Sequence, residues 1–364
     1  YLSLKSTLKS ANGGSGAQQQ LIGNPNFTRD LVPVMFDYLT IHEIYNACIT
    51  NSQTCVNINW KVVLRKNGIP HEDVIVTHGD RLEFGEFCPI LLDNEKQREQ
   101  QDYCIIFFKY IKKHKRTDDD IKIAALYWDT NKEAAIERYG HIRDWDTSAV
   151  TDMGHLFSEY ERDNFYFFNE DLSRWNTSSV TNMEGMFRNA RSFTSFTSCT
   201  SDLSSWNTSS VTSMAGMFHG ARNFTSDLSR WNTSNVTDMS NMFYRVESFT
   251  SDLSGWDVSR VTNMERMFYG AQSFTSDLSD WNVSSVTNMA SMFRVAISFT
   301  SDLSRWNTSN VTSMRGMFIG ATSFTSDLSR WNVSNVTNMM MMFSGATSFT
   351  SDLSDWNTNS VTSM

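Results

Sequence analysis

Apolar positions recur at a fixed interval from about Ile142 onward. Leu228, Trp231 and Thr233 follow an L-x-x-L-x-L spacing, and Val236, Met239, Met242, Phe243, Val246 and Phe249 complete one unit. Nine of the 11 tryptophans mark the register: Trp145, Trp175, Trp206, Trp231, Trp256, Trp281, Trp306, Trp331 and Trp356. The first two intervals are 30 and 31 residues, and each later one is 25. A fixed period of this length is the signature of a repeat array. One copy cannot enclose its own apolar face, so neighbours must stack and share a core.

Two elements are expected in each copy. Alternation across Trp231 and position 233 suits a short strand, with Val258, Val283 and Val333 at the third place in other copies. Met239, Met242, Phe243 and Val246 fall at i, i+3, i+4 and i+7, one face of a short helix. Thr237 stands at the N-cap of that helix. Thr181-Asn-Met-Glu184 and Thr262-Asn-Met-Glu265 read as capping boxes. Neither proline nor lysine follows Lys132. The lack of proline suits a ladder that uses every N–H.

The pattern changes ahead of the array. Residues 1–24 are rich in Ser, Gly and Gln and are predicted to be a disordered leader. Residues 25–70 read as helical, with Leu31, Val34, Met35 and Tyr38 on one face and a further element starting at Trp60. Residues 71–117 read as a mixed linker region, with a strand at Val74–Val76 and a helix to about His114. Its Lys112–Arg116 run is predicted to be a solvated helix end. Residues 118–141 read as a helical pair carrying Ile121, Ala124, Ala125 and Trp128, placed to cover the open end of the array. Residues 142–364 hold about nine copies, the last truncated. The predicted class is α/β: a right-handed leucine-rich-repeat-like solenoid, one short strand and one short helix per copy, behind a mainly helical N-terminal region.

Composition narrows the function. The net charge of −9 argues against nonspecific attraction to phosphate backbones, so no nucleic-acid partner is expected. No apolar run is long enough to span a membrane. The five cysteines, Cys48, Cys55, Cys88, Cys104 and Cys199, form no CxxC pair and read as reduced thiols. No HExxH, Walker loop, G-x-S-x-G or paired-carboxylate constellation is present, and neither enzymatic activity nor a cofactor is expected.

The stretch Phe224-Thr-Ser-Asp-Leu-Ser-Arg-Trp-Asn-Thr-Ser-Asn-Val-Thr-Asp-Met-Ser-Asn-Met-Phe243 and its copies resemble the BspA-type leucine-rich repeat of bacterial and protist surface proteins. That resemblance implies a right-handed solenoid with adhesion or protein-binding roles. The segment Leu31-Val-Pro-Val-Met-Phe-Asp-Tyr-Leu-Thr-Ile-His-Glu-Ile-Tyr-Asn-Ala-Cys48, followed by Trp60-Lys-Val-Val63, is similar to an F-box. Val32 separates the Leu and Pro that are usually adjacent. The similarity implies Leu31, Pro33, Phe36, Leu39, Ile44 and Trp60 as contacts to a Skp1-like subunit of a ubiquitin ligase.

Two sets of array residues are candidate sites. Asp171, Asp202, Asp227, Asp252, Asp277, Asp302, Asp327 and Asp352 form a column of like charges that would repel if bare. They read as caps of the inter-copy turn, with calcium as the alternative neutraliser. A protein partner should touch exposed residues that vary between copies. The positions before and after each Trp supply Arg174, Arg230, Asp280, Arg305 and Arg330, with Asn232, Asp257, Asn282, Asn307 and Asn332. The expected function is a non-enzymatic protein-interaction scaffold, cytoplasmic or nuclear. The alternatives are an F-box substrate adaptor and a cell-surface adhesin-like protein. The last draws on eleven N-x-[ST] sequons and needs a signal peptide ahead of Tyr1.

Overall fold

The computed structural model describes residues 60–66, 95–158, 168–192 and 202–364. The chain divides into two compact units, residues 1–113 and 114–364. Helices α1 (Trp60–Lys66) and α2 (Glu95–His114) belong to the first, apart from the final residue of α2. Trp60 is buried against Phe107, with ring centroids 4.9 Å apart. Cys104, Phe107 and Ile111 line the buried side of α2 at helical spacing. Cys104 is disulfide-bonded, which corrects the reading of reduced thiols. An odd cysteine count does not forbid one bridge, since pairing depends on proximity in space. Its partner lies outside the described residues. So do Leu31, Pro33, Phe36, Leu39 and Ile44, the leader and the Val74–Val76 strand.

The second unit opens with β1 (Lys115–Thr117), α3 (Ile121–Thr130), α4 (Lys132–Tyr139) and β2 (Asp146–Ala149). Strand β1 pairs in parallel with β2. Helix α3 buries Ile121, Ala124, Ala125 and Trp128, which share one face at this spacing. Helix α4 starts at Asn131, whose side chain accepts the Ala134 N–H at 3.0 Å. It stops at Gly140, whose φ of 76° suits glycine. Both helices contribute to the same apolar core as Ile142 and Trp145 of the first copy. Asp118 joins the junction, accepting the N–H groups of Thr151 and Asp152 at 2.8 and 3.0 Å.

Arg116 departs from the expected solvated helix end. It is 2% exposed, ion-paired to Asp120 at 2.9 Å, and lies 4.8 Å from the Tyr139 ring and 5.5 Å from the Trp145 ring. A carboxylate and two aromatic faces offset the desolvation of its guanidinium.

From Asp152 onward the copies stack in parallel, one residue bridging each neighbour: Asp152 to Asn182, Ser213, Asp238, Asn263, Asn288, Ser313, Asn338 and Ser363. The expected strand at Trp231–Thr233 and helix at Met239–Val246 do not form. The N–H groups go elsewhere. Those of Met239, Asn241, Phe243 and Arg245 donate to Asn263, Glu265, Met267 and Tyr269 of the next copy at 2.6–3.1 Å. Those of Met242, Tyr244 and Val246 close three-residue turns onto Met239, Asn241 and Phe243. Asn241 and Arg245 have φ of 56° and 54°, which an α-helix cannot contain. The i, i+3, i+4, i+7 pattern is therefore met by tandem turns that turn the same side chains inward. Thr237 is no helix cap either; its N–H and hydroxyl both point to the Thr212 carbonyl of the preceding copy.

Identical side chains stack across copies. Phe268 and Phe293 lie 5.7 Å apart at 7°, Phe274 and Phe299 6.0 Å apart, and Trp306 and Trp331 6.2 Å apart at 3°. These residues and the inward methionines are fully or almost fully buried.

Candidate binding groove

The copies turn on Asx residues that accept the N–H two residues on, two or three to a copy, with Ser213, Ser313 and Ser363 at the third place in theirs. In the reference copy these are Asp227 to Ser229 at 2.9 Å, Asn232 to Ser234 at 3.0 Å and Asp238 to Ser240 at 2.8 Å. Asp171, Asp202, Asp252, Asp277, Asp302, Asp327 and Asp352 repeat the first at 2.9–3.0 Å. A relay ties it to the next copy: the Leu228 N–H donates to Ser251 Oγ at 2.9 Å, and that hydroxyl donates to Asp227 at 3.2 Å. The serine N–H and hydroxyl hold Asp227, Asp252, Asp277, Asp302, Asp327 and Asp352 below the usual carboxylate range. Among the described residues no cluster of three or more His, Cys, Asp or Glu forms a metal-binding group.

Asn232, Asp257, Asn282, Asn307 and Asn332 accept N–H groups of their own copies at 3.0–3.2 Å, so each is a structural cap on the surface. Arg174, Arg230, Asp280, Arg305 and Arg330 are exposed. Arg305 reaches Asp280 at 3.2 Å and Arg174 reaches Asp144 at 3.6 Å. Exposed pairs of this kind contribute little. Beneath them, from Trp206 onward, the Trp indole N–H donates to the preceding copy's Leu carbonyl, as Trp256 does to Leu228 at 3.0 Å, while Trp175 donates to Ile142 and Trp145 to Gly140. This side is polar, regular and largely satisfied by its own copies.

The opposite side differs. The residue after each inward Phe faces outward and changes from copy to copy: Arg188, His219, Tyr244, Tyr269, Arg294 and Ile319. His219 and Tyr244 stack at 4.3 Å, Tyr244 and Tyr269 at 4.6 Å, and the Arg294 guanidinium lies 5.3 Å from the Tyr269 ring. Together with Asn241, Arg266, Ser291 and Arg315 they line a groove of about 470 Å³. Its charge is one-sided. Arg266 pairs with Glu265 at 3.1 Å, but Arg294 and Arg315 have no ion pair among the described residues, and neither has Arg245 beside the stack. Burial, with Arg188, Arg245 and Arg266 nearby, pushes the His219 imidazole down to about 4, so it is neutral at pH 7. Its Nδ1 and the Arg294 Nε are buried without a hydrogen-bond partner.

The groove also holds backbone strain. The second residue after the first inward Met is left-handed in every copy; Gly216 and Gly316 fit it, whereas Asn241, Arg266, Ser291 and Met341 occupy it at φ 55–58°. Val295 sits at φ 58° where Gly220, Gly270 and Gly320 stand in other copies. A β-branched residue there is a genuine outlier. Outliers of this kind gather where side chains are retained for a task.

Sequence reasoning missed this groove because it assigned a helix to the segment. The available signal was column variability. The positions of Ser240, Asn241, Tyr244 and Arg245 change among acidic, basic, aromatic, small and aliphatic residues between copies, while the Leu, Trp, Met and Phe columns hold.

Parallel bridges, shared aromatic columns and recurrent Asx turns define a stacked-repeat protein. The family described as Mycoplasma protein of unknown function, DUF285, matches residues 133–198, 193–302 and 275–364, and the chain belongs to it. No curated protein and no solved structure matches the chain.

Proposed function

We propose that the chain is a non-enzymatic binding scaffold, a right-handed leucine-rich-repeat-like solenoid whose partner surface is the groove beside the Met–Phe turns. The observation that carries this is the coincidence of variation, positive charge and left-handed non-glycine residues on one face. A repeat that only needed to stack would keep glycine at those backbone positions. The Cys104 disulfide favours an oxidising compartment and so the cell-surface reading over the cytoplasmic one.

The test compares two faces of the full chain. Arg266, Arg294 and Arg315 changed together to Ala are expected to abolish capture of a cross-linked protein partner. Arg230, Arg305 and Arg330 changed together to Ala should leave capture intact. The reverse result moves the surface to the Trp side, and loss in neither variant removes the groove as the binding surface.

A further inference from the structure

We propose that the groove takes an extended acidic segment, a run of Asp and Glu side chains presented by a protein partner. This rests on the groove being the partner surface.

Three observations point to carboxylates. Arg294 and Arg315 offer guanidinium forks that no carboxylate of the described residues engages, and such forks match carboxylate geometry in bidentate fashion. Asn241, two copies before Arg294, adds a neutral donor to the same groove. Of the lining cations, Arg266 is compensated by Glu265, whereas Arg294 and Arg315 pair with no carboxylate of the described residues.

The aromatic column decides between anionic ligands. Its rings stack on one another along the array, and the Tyr269 ring is also covered by Arg294. Tyr244 lies between two rings and Tyr269 between a ring and a guanidinium, so the two tyrosines offer no open platform for the bases of a single-stranded nucleic acid. The chain as a whole carries −9, which repels a long polyanion at a distance. A short acidic stretch of a folded or flexible protein meets the local positive field with less of that penalty.

Length follows from the repeat. Arg188 and Arg315 lie in copies five steps apart in the Phe column, each step 5.6–5.8 Å. The span of roughly 28 Å matches about eight or nine residues of extended chain at ~3.3 Å each.

The experiment uses the full chain and a fluorescein-labelled peptide of about nine glutamates, read by fluorescence anisotropy. We expect saturable binding that weakens about tenfold or more in Arg294→Gln/Arg315→Gln, partial retention in Arg294→Lys/Arg315→Lys, and none with the all-glutamine peptide. Circular dichroism must show both variants folded, which their outward side chains predict. Failure of the glutamate peptide to bind, equal affinity in the glutamine variant, or equal affinity for single-stranded DNA of the same length overturns the acidic-segment proposal. If the peptide fails while partner capture still depends on Arg266, Arg294 and Arg315, the groove stands and only its ligand chemistry falls.

Discussion

The two sides of each copy use the same backbone economy for opposite ends. On the Trp side, Asp, Asn and Ser side chains are bound into turns and relays within the array, and variation is limited to single exposed residues such as Arg230 and Asp280. On the Met–Phe side, the N–H groups run to the next copy from a left-handed backbone, which leaves the outward side chains out of the ladder. Stacking is thus secured by backbone bonds and buried rings. The outward positions of one face are released to vary. A repeat can diversify a surface without loosening its core when the backbone of the surface residues, rather than their side chains, supplies most of the stacking bonds.

The largest expected effect comes from breaking what both sides share. Phe268 is fully buried, stacked on Phe243 at 5.6 Å, Phe293 at 5.7 Å and Phe274 at 4.1 Å. Phe268→Ala should cost about 3–5 kcal/mol, as for other buried aromatic truncations. Because each copy holds only its neighbours, urea unfolding should also lose cooperativity, with copies on either side melting separately. A single transition displaced by less than about 1 kcal/mol would sink the shared-core account.

Acid separates the two sides. His219 on the groove side is held near 4, against about 6.5 when unfolded. Between these values the unfolded chain binds the extra proton, so stability falls as pH drops from about 6.5 toward 4. His141, also lowered mainly by burial, adds to the loss as pH falls below about 6.5. The aspartate column on the turn side is lowered from its ordinary value, so its contribution is complete above about pH 4 and is lost as pH falls through the folded values. His219→Gln should therefore flatten the upper part of the Tm-against-pH curve. Asp252→Asn, Asp277→Asn and Asp302→Asn together should flatten the lower part, since Asn keeps the turn acceptor without titrating. Identical curves for both variants would show that the two sides are not electrostatically distinct.

How much of this was legible in the sequence follows from what each feature depends on. The Trp interval located the array because stacked aromatic columns require the same residue at the same place. The residues expected inward, Met239, Met242, Phe243 and Val246, are buried. The backbone that buries them was not legible, since helical turns and tandem three-residue turns place side chains at the same spacing. The indicator of the difference was Gly at both positions 216 and 220, four apart in one copy, where a helix would be weakened twice. The groove was hidden with it. Arg116 was misread because a basic run is ordinarily solvated, and nothing local announces that Tyr139 and Trp145 cover it. The Asx turns were half visible: the Asp column drew attention, while the Asn and Asp residues after Trp were assigned to a partner.

A smaller change tests the strain argument on the groove side. Val295→Gly removes a β-branched residue from φ 58°, where its equivalents are Gly270 and Gly320. Relief of roughly 1–2 kcal/mol of left-handed strain outweighs the ~0.5–1 kcal/mol that added chain freedom takes back. We expect a gain of about 0.5–1 kcal/mol in urea unfolding. A loss of stability would mean that packing of the Val295 side chain, and not a binding task, keeps it there.

The smallest effect belongs to the Trp side, where the copies have already made the exchange. Thr308 is buried, and its hydroxyl donates to the Asn332 carbonyl of the next copy at 2.9 Å. Val258, Val283 and Val333 occupy the same place in other copies, equally buried and without that bond. Thr308→Val loses one hydrogen bond, worth about 0.5–1.5 kcal/mol net, and gains a buried methyl group of similar value. The acceptor left behind belongs to an exposed residue, Asn332, which water can reach. Thermal unfolding should therefore move by less than about 1 kcal/mol in either direction. A loss above about 2 kcal/mol would show that the threonine copies rely on this bond in a way the valine copies do not, and that the Trp side is less uniform than its spacing suggests.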